Sequence, residues 1–92
     1  MASPSGERVR VEVIGIMGAG TCSSGLHEVG QSWVVDDAVV PQGMCGYAYN
    51  AINPFIMALR CGGRFPWKDE PVATVCCPDA DNPVVFRLSL DE

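Results

Sequence analysis

Three cysteines and the chain's single histidine carry the residue types that bind soft metal ions, namely Cys22, His27, Cys45 and Cys77. Three thiolates and one imidazole are the donor set that a tetrahedral Zn²⁺ or another soft transition metal prefers. Structural zinc sites usually take their ligands in close Cys-x₂₋₄-Cys pairs, and only Cys22 and His27 are near neighbours here. The residues therefore predict a metal site, structural or open, that is assembled from distant parts of the chain.

The same residues also fit a small enzyme built on an activated thiol. Cys45 follows Gly43 at the start of an expected helix, where the helix dipole stabilises a thiolate and lowers its pKa. His27 would serve as its base or partner, as in nucleophilic Cys/His sites. Cys22 or Cys77 would then act as a resolving thiol in a redox cycle. The chain has no Cys-x-x-Cys motif that would favour a thioredoxin-like protein.

A purely structural role is the third interpretation of the cysteines. Free cysteine is among the most buried residue types and behaves as a small apolar side chain. Cys45 lies on an apolar helical stripe, and packing is the preferred interpretation for Cys61 and Cys76, which have apolar neighbours. Adjacent strand residues point to opposite faces, so at most one of Cys76 and Cys77 can face a shared site. His27, alone in a loop, is expected to be polar surface.

Two arginines and a tryptophan near the glycine pair at 62–63 form a second candidate site. Arg60, Arg64 and Trp67 would frame a pocket for an anionic or aromatic ligand. In the alternative, Trp67 and Phe65 close one end of the hydrophobic core, and no ligand is involved.

Length and composition limit the classes of protein to which the chain can belong. It has 92 residues, 48% of them apolar and 18% charged, with a net charge of −5. A disordered protein would contain fewer apolar residues, and a nucleic-acid-binding protein would need positive charge to hold phosphates. The length predicts one domain, which we place at residues 8–92 after a disordered tail at 1–7.

The N-terminal segment lacks the apolar core of a secretory signal. No uninterrupted apolar run reaches the roughly 20 residues that a membrane span needs. We therefore expect a cytoplasmic protein with no membrane and no nucleic-acid partner. Disulfides are rare in the cytosol, which favours metal binding, redox chemistry or burial for the five cysteines.

The apolar pattern predicts two strands in the first half of the chain. Val9, Val11 and Val13 alternate with polar residues, so a half-buried strand begins at residue 8 and is expected to continue to Met17. A glycine-rich loop at 18–25 follows. Ser32–Val35 is the second predicted strand.

Residues 44–60 have apolar side chains at helical spacing around most of the circumference, which predicts the main helix. Pro54 lies inside this segment, so we expect a kink or a restart there, with Asn53 as the N-cap of the second part. The glycines at 62–63 end the helix. Val72–Cys77 and Val84–Leu90 predict two more strands, which pair as a hairpin.

The order β-β-α-β-β predicts an α+β domain in which one kinked, mostly apolar helix covers a small antiparallel sheet of three or four strands. One sheet face cannot hide a helix this apolar entirely. The helix therefore predicts an interface for a homo-oligomer or a partner protein, as in an accessory subunit with structural cysteines only.

A pattern of glycines, cysteines and prolines extends over nearly the whole chain beyond its first residues. It consists of Gly20-x-Cys22, Gly25-x-His27-x-x-Gly30, Gly43-x-Cys45-x-x-Ala48, Ile52-x-Pro54-x-Ile56-x-x-Leu59-Arg60-x-Gly62-Gly63-x-x-Pro66-Trp67 and Cys77-Pro78-Asp79-x-x-Asn82-Pro83-Val84-x-Phe86. This pattern resembles a family of small prokaryotic-type proteins of about this length without an assigned function. The family's loop reads Gly-His directly, whereas Leu26 separates the two residues here. The resemblance implies that Cys22, Cys45 and Cys77 belong to the site, while Cys61 and Cys76 fall at variable or apolar positions.

Overall fold

Five elements form the fold in the predicted order of two strands, one helix and two strands. The computed structural model describes residues 6–91. Its elements are β1 (Val9–Ile16), β2 (Ser32–Val35), α1 (Gly46–Arg60), β3 (Val72–Cys76) and β4 (Val84–Leu90). The bounds of β2 and β4 are those predicted, and the other elements differ from prediction by at most two residues at either end.

Within residues 6–91 the four strands form one antiparallel sheet with the order β2-β1-β4-β3. The predicted α+β class is confirmed, and so is the hairpin of the last two strands. β1 and β4 lie at the centre of the sheet, and the other three elements lie between them in sequence. The pairing of these two strands is therefore long-range, and the helix and both edge strands are arranged around it.

The alternating residues of the strands build the hydrophobic core on one face of the sheet. Val9, Val11 and Val13 are 0–2% exposed, as their alternation with polar residues predicts. On the neighbouring strand, Phe86 and Leu88 are completely buried and pair with β1 on the same face. The core therefore lies between this face and α1.

A bulge interrupts the pairing of β1 with β4 near the end of β1. Val13 pairs with Phe86 whereas Gly15 pairs with Val85, so the register shifts at Ile14, which is 47% exposed. A bulge bends its strand and changes the direction in which the chain leaves the sheet. This one lies just before the first long loop of the protein.

α1 covers the inner face of the sheet with one stripe of buried side chains. The stripe has the spacing of an amphipathic helix and consists of Ala48, Ile52, Ile56 and Leu59. On the other side of the helix, Tyr47 is 80% exposed and Met57 is 58% exposed. The sheet hides only part of the apolar helix, and a partner on the remaining surface stays a prediction.

α1 continues through Pro54 as one helix, so the predicted restart at Asn53 is wrong. Both residues are on the exposed side of the helix. Proline removes one amide donor from a helix, and the carbonyl group that loses its partner can bond to water on that side. The cost of an internal proline is therefore smaller than it would be on the buried stripe.

The glycines at 62–63 end α1 as predicted. Gly62 has a φ of +81°, and its N–H donates to the Leu59 carbonyl at 3.0 Å. The Gly63 N–H donates to the Ala58 carbonyl at 2.8 Å, which completes a Schellman motif. Within residues 6–91, no helix has both the length and the apolar character needed to cross a membrane.

Most of the predicted disordered tail, residues 1–5, lies outside the described residues. The next two residues are anchored at the end of α1. The Glu7 N–H donates to the Arg60 carbonyl at 2.8 Å, and the Arg60 guanidinium donates to the Glu7 carbonyl at 2.9 Å. Gly6 approaches the Arg60 carbonyl so closely that a Cβ would lie 2.7 Å from its oxygen.

Candidate functional site

A mostly apolar cavity of about 270 Å³ lies where β4 begins, beside the N-terminal end of α1. Three walls bound it: the first long loop, the start of α1, and the turn between β3 and β4. Its lining includes Cys22, Ser24, His27, Cys45, Cys77 and Asp79. Each wall contributes one thiol.

All four residues of the predicted Cys/His cluster line this cavity. Cys22 and His27 come from the loop, Cys45 from the start of the helix, and Cys77 from the first position after β3. The pairing of β1 with β4 brings these walls together although they are far apart in sequence. The residue types therefore pointed to side chains that the fold brings into one cavity.

The other two cysteines lie outside this lining and are exposed, so the prediction that they pack as apolar residues is wrong. Cys61 is the C-cap of α1, where the chain leaves the core. Cys76 pairs with Val85 on the face of the sheet that α1 does not cover. Because neighbouring strand residues alternate, Cys77 faces the cavity and Cys76 faces away from it.

His27 is only 5% exposed, so the prediction that it is polar surface is wrong. Its ring meets Trp33 and Phe86 edge to face, with centroids 5.4 and 5.5 Å away. The Cys45 backbone N–H donates to Nε2 at 3.1 Å, and Nδ1 lies 3.0 Å from Oε1 of Gln31. Since an N–H can donate only to an unprotonated nitrogen, Nε2 carries no proton and Nδ1–H donates to Gln31.

This arrangement gives His27 a positioning role. The lone pair of Nε2 would have to bind a metal ion or take the Cys45 thiol proton. It already accepts a hydrogen bond from the Cys45 amide. His27 can therefore act as a ligand or a base only after it releases the start of α1. In the structure it joins the first loop to the helix, with both ring nitrogens in use.

Cys45 is the N-cap residue of α1 and lies one position before the first helical residue, whereas the sequence predicts it within the first turn. Its side chain makes no capping hydrogen bond, and the residue is only 8% exposed. The helix N-terminus carries partial positive charge, which favours anions at this wall of the cavity. Of the three cavity thiols, Cys45 is the least accessible to a substrate.

Cys22 lies in a tight turn of the first loop. The Gly25 N–H donates to the Cys22 carbonyl at 3.0 Å, and Gly25 has a φ of +74°, a conformation that favours glycine. Within the turn, the Cys22 sulfur lies 3.1 Å from the Ser24 hydroxyl oxygen. The side chain is partly buried and packs against the edge of the core.

The surroundings of Cys22 lower the pKa of its thiol. Burial raises this pKa, but hydrogen bonds from the Ser24 hydroxyl and from the backbone N–H groups of His27, Ser24 and Leu26 outweigh it. The thiolate is the nucleophilic form of cysteine. The structure thus adds Cys22 to Cys45 as a candidate nucleophile. The sequence signal for it was a hydroxyl residue two positions after a cysteine in a turn that ends in glycine.

Cys77 is fixed against the start of β4 by two hydrogen bonds to one residue. Its N–H donates to the Val84 carbonyl at 3.0 Å, and the Val84 N–H donates to the Cys77 sulfur at 3.2 Å. Because Val84 is buried on the inner face of the sheet, these bonds hold Cys77 at the wall of the cavity.

Side-chain hydrogen bonds tie the first loop to the turn between β3 and β4. The Ser23 hydroxyl donates to Asp79 Oδ2 at 2.5 Å. The Ala19 N–H donates to Asn82 Oδ1 at 2.8 Å. Sequence analysis missed this connection, which joins residues 56 and 63 positions apart.

Asp79 is the acceptor at the centre of this connection. The Ser23 hydroxyl and the Asp81 backbone N–H lower the pKa of its carboxyl group, and the Asn82 N–H adds to the effect. Gly18 of the first loop lies so close to this turn that a Cβ on it would collide with the Asp81 carbonyl oxygen. The loop and the turn therefore form one continuous wall.

No group of three or more His, Cys, Asp or Glu side chains in residues 6–91 is arranged to hold a metal ion. The predicted ligands instead have hydrogen-bond partners within the protein. Cys22 is paired with Ser24, and both ring nitrogens of His27 are in use. Metal binding by Cys22, His27, Cys45 and Cys77 stays a prediction.

The three residues of the predicted ligand pocket, Arg60, Arg64 and Trp67, contact backbone carbonyls or another aromatic ring of the protein. The Arg60 guanidinium is buried and donates to backbone carbonyls, including that of Val35 at 3.3 Å. Arg64 donates to the carbonyls of the glycines at 62–63. Trp67 stacks on Phe65 at 5.4 Å and is 66% exposed, so only Phe65 packs against the core. A ligand at these residues stays a prediction.

The fold and the cavity together define the chain as a small α+β domain with a thiol-lined pocket. Comparisons with profiles of known protein families, with curated proteins and with solved structures found no match to it. The side chains of the cavity are therefore the features that indicate its chemistry.

Proposed function

We propose that the cavity is a thiol-based reaction site in which Cys22 is the nucleophile toward a small molecule with an electrophilic carbon or a disulfide. The observation that carries the proposal is the position of the Cys22 sulfur. It lies 3.1 Å from the Ser24 hydroxyl, at a partly buried wall of a cavity that two further thiols line. Hydrogen-bond donors around a sulfur favour the thiolate, which is the reactive form.

The size and surface of the cavity limit the substrate. Pockets for drug-sized ligands enclose about 300–1,000 Å³, and a cavity of about 270 Å³ suits a smaller molecule. Its mostly apolar lining favours a substrate with a small apolar body. Tyr47, 80% exposed at the cavity, offers an aromatic surface to the same molecule.

The residues of the site have separate roles in this proposal. The Cys22 thiolate forms a bond to the electrophilic atom, and the leaving group departs with the electron pair. The Ser24 hydroxyl stabilises the thiolate before attack. His27 positions the loop by its hydrogen bond to the start of α1. The helix N-terminus adds a favourable field for negative charge in the cavity.

Alkylation of Cys22 by iodoacetamide should show a pH midpoint below the ordinary thiol pKa of about 8.5. Because the lowered pKa of Cys22 keeps the thiolate populated at lower pH, its rate rises with pH earlier than for an ordinary thiol. The rate is followed at each cysteine by peptide mass spectrometry. Cys61 and Cys76, which are exposed outside the cavity, report on the reagent in the same sample.

Two serine variants test the cause of this midpoint. Ser24→Ala removes the direct donor and should raise the midpoint by somewhat under one unit, since a hydrogen bond is worth about 1 kcal/mol and one pKa unit about 1.4 kcal/mol. Ser32→Ala is the matched control, because Ser32 is an exposed serine of β2 outside the cavity lining. A midpoint of 8.5 or higher, or one that Ser24→Ala leaves unchanged, contradicts the proposal.

A soft metal ion is the second candidate for this cavity, because three thiols line it. Cys22, Cys45 and Cys77 would be thiolate ligands, and His27 would join them only by releasing the Cys45 amide. Under the first proposal, protein loaded with Zn²⁺ and dialysed should retain no metal by elemental analysis. One retained equivalent that is lost in Cys45→Ser would establish the metal site instead.

A further inference from the structure

We infer that Cys77 is the resolving thiol of Cys22: after Cys22 attacks a small disulfide, Cys77 closes a Cys22–Cys77 disulfide across the cavity. The inference rests on the proposed role of Cys22 as the nucleophile. It adds the class of substrate, a small organic disulfide, and a second reacting residue.

The connection between the two walls brings Cys22 and Cys77 into the same part of the cavity. Ser23, the residue after Cys22, donates to Asp79, which lies two residues after Cys77. Asn82 of the same turn lies 3.5 Å from the Ser23 hydroxyl and accepts the Ala19 N–H. The chain on both sides of Cys22 is therefore bonded to the turn that follows Cys77.

The two sulfurs are also placed on the inner side of the sheet. The Val84 N–H donates to the Cys77 sulfur at 3.2 Å, and Val84 is buried against the core. Both Cys22 and Cys77 pack against this core and remain partly exposed. A disulfide from solution can therefore reach both thiols.

Cys45 is less suited to the role of resolving thiol. It is only 8% exposed, and its backbone amide donates to the His27 ring. A disulfide needs Cα atoms about 4.4–6.8 Å apart. The loop is bonded to the turn of Cys77 at Ser23, the residue next to Cys22, whereas its hydrogen bond with Cys45 is made by His27, five residues from Cys22.

The chemistry balances with the small disulfide as the oxidant. The Cys22 thiolate attacks one sulfur of R–S–S–R, a new S–S bond forms, and one RS⁻ leaves. The Cys77 thiol then gives up its proton, and its thiolate attacks the Cys22 sulfur and releases the second RS⁻. The two cysteines lose two electrons, and the substrate is reduced to two thiols.

The test uses the full chain with Cys61→Ser and Cys76→Ser, so that only the three cavity thiols react. Treated with bis(2-hydroxyethyl) disulfide, this protein should form a Cys22–Cys77 cross-link, detected by mass spectrometry after non-reducing digestion. Adding Cys77→Ser should abolish the cross-link and leave one mercaptoethanol bound to Cys22. Serine keeps an acceptor for the Val84 N–H, so this variant retains the hydrogen bond that the sulfur makes.

Adding Cys45→Ser to the same background should leave the Cys22–Cys77 cross-link intact. A Cys22–Cys45 cross-link overturns the inference, and so does a mixed disulfide on Cys22 that persists while Cys77 is present. In both cases Cys22 has reacted, so the proposed function stands. If Cys22 does not take up the reagent and its alkylation midpoint does not lie below about pH 8.5, the proposed function fails as well.

Discussion

Replacing Phe86 by alanine should lower the free energy of unfolding by about 3–5 kcal/mol, as is typical of large aromatic side chains removed from a core. Phe86 is completely buried and pairs with Val13 on one side and Val75 on the other. Its ring also contacts the His27 ring edge to face, with the two centroids 5.5 Å apart. Small domains are stable by only about 5–15 kcal/mol, so the loss is a large share of the total. Urea unfolding followed by circular dichroism measures it.

Val85→Ala is the matched control for this substitution. Val85 is adjacent in β4 and lies on the face that α1 does not cover, opposite Gly15 and Cys76. Surface substitutions usually change stability by about 0.5 kcal/mol or less, and a half-buried valine by little more. Equal losses for the two variants would mean that α1 does not cover the face of the sheet that carries Phe86.

The fold could be predicted because local periodicity reports which face of each element is buried. Val9, Val11 and Val13 mark the inner face of β1, and the stripe that includes Ile52 and Ile56 marks the inner face of α1. Pro54 misled the prediction because proline alone does not tell which side of a helix it occupies. On the exposed side, water can satisfy the carbonyl group that loses its donor.

The convergence of Cys22, His27, Cys45 and Cys77 on one candidate site could be predicted from residue types, but their burial and hydrogen bonds could not. Whether Cys22 or Cys45 is the stronger nucleophile depends on hydrogen bonds and burial, neither of which spacing shows. The burial of His27 depends on a loop that folds over the rings of Trp33 and Phe86. These contacts form only after distant segments have met in the folded chain.

The exposure of Cys76 could be predicted from the sequence by the alternation of strand residues. Alternation places Val84 and Phe86 on one face of β4, and the hairpin register with β3 follows once Cys77 pairs with Val84. Alternation then places Cys76 on the opposite face. Apolar neighbours along the chain do not indicate that a strand residue such as Cys76 is buried, because adjacent residues point to opposite faces of the sheet.

His27→Ala should lower the free energy of unfolding by about 3 kcal/mol or more, because it removes a buried ring and two hydrogen bonds together. The Cys45 amide and the Gln31 side chain lose their partner, and Trp33 and Phe86 lose a ring contact. The first loop also loses its connection to α1. Alanine keeps the backbone N–H of residue 27, which helps to lower the pKa of Cys22, but the released loop no longer holds it against the sulfur, so the alkylation midpoint should move upward toward about 8.5.

His27→Phe separates the ring from its nitrogens. Phenylalanine keeps an aromatic edge against Trp33 and Phe86 but leaves the Cys45 amide without an acceptor, so the expected loss is about 1–3 kcal/mol, smaller than for alanine. Urea unfolding gives both losses, and peptide mass spectrometry gives both midpoints. If His27→Phe is as stable as the unmodified protein, the bond from Cys45 contributes nothing to the fold. If it is stable and leaves the midpoint of Cys22 in place, His27 is only a packing residue, and the loop of Cys22 is held by its hydrogen bonds to the turn between β3 and β4.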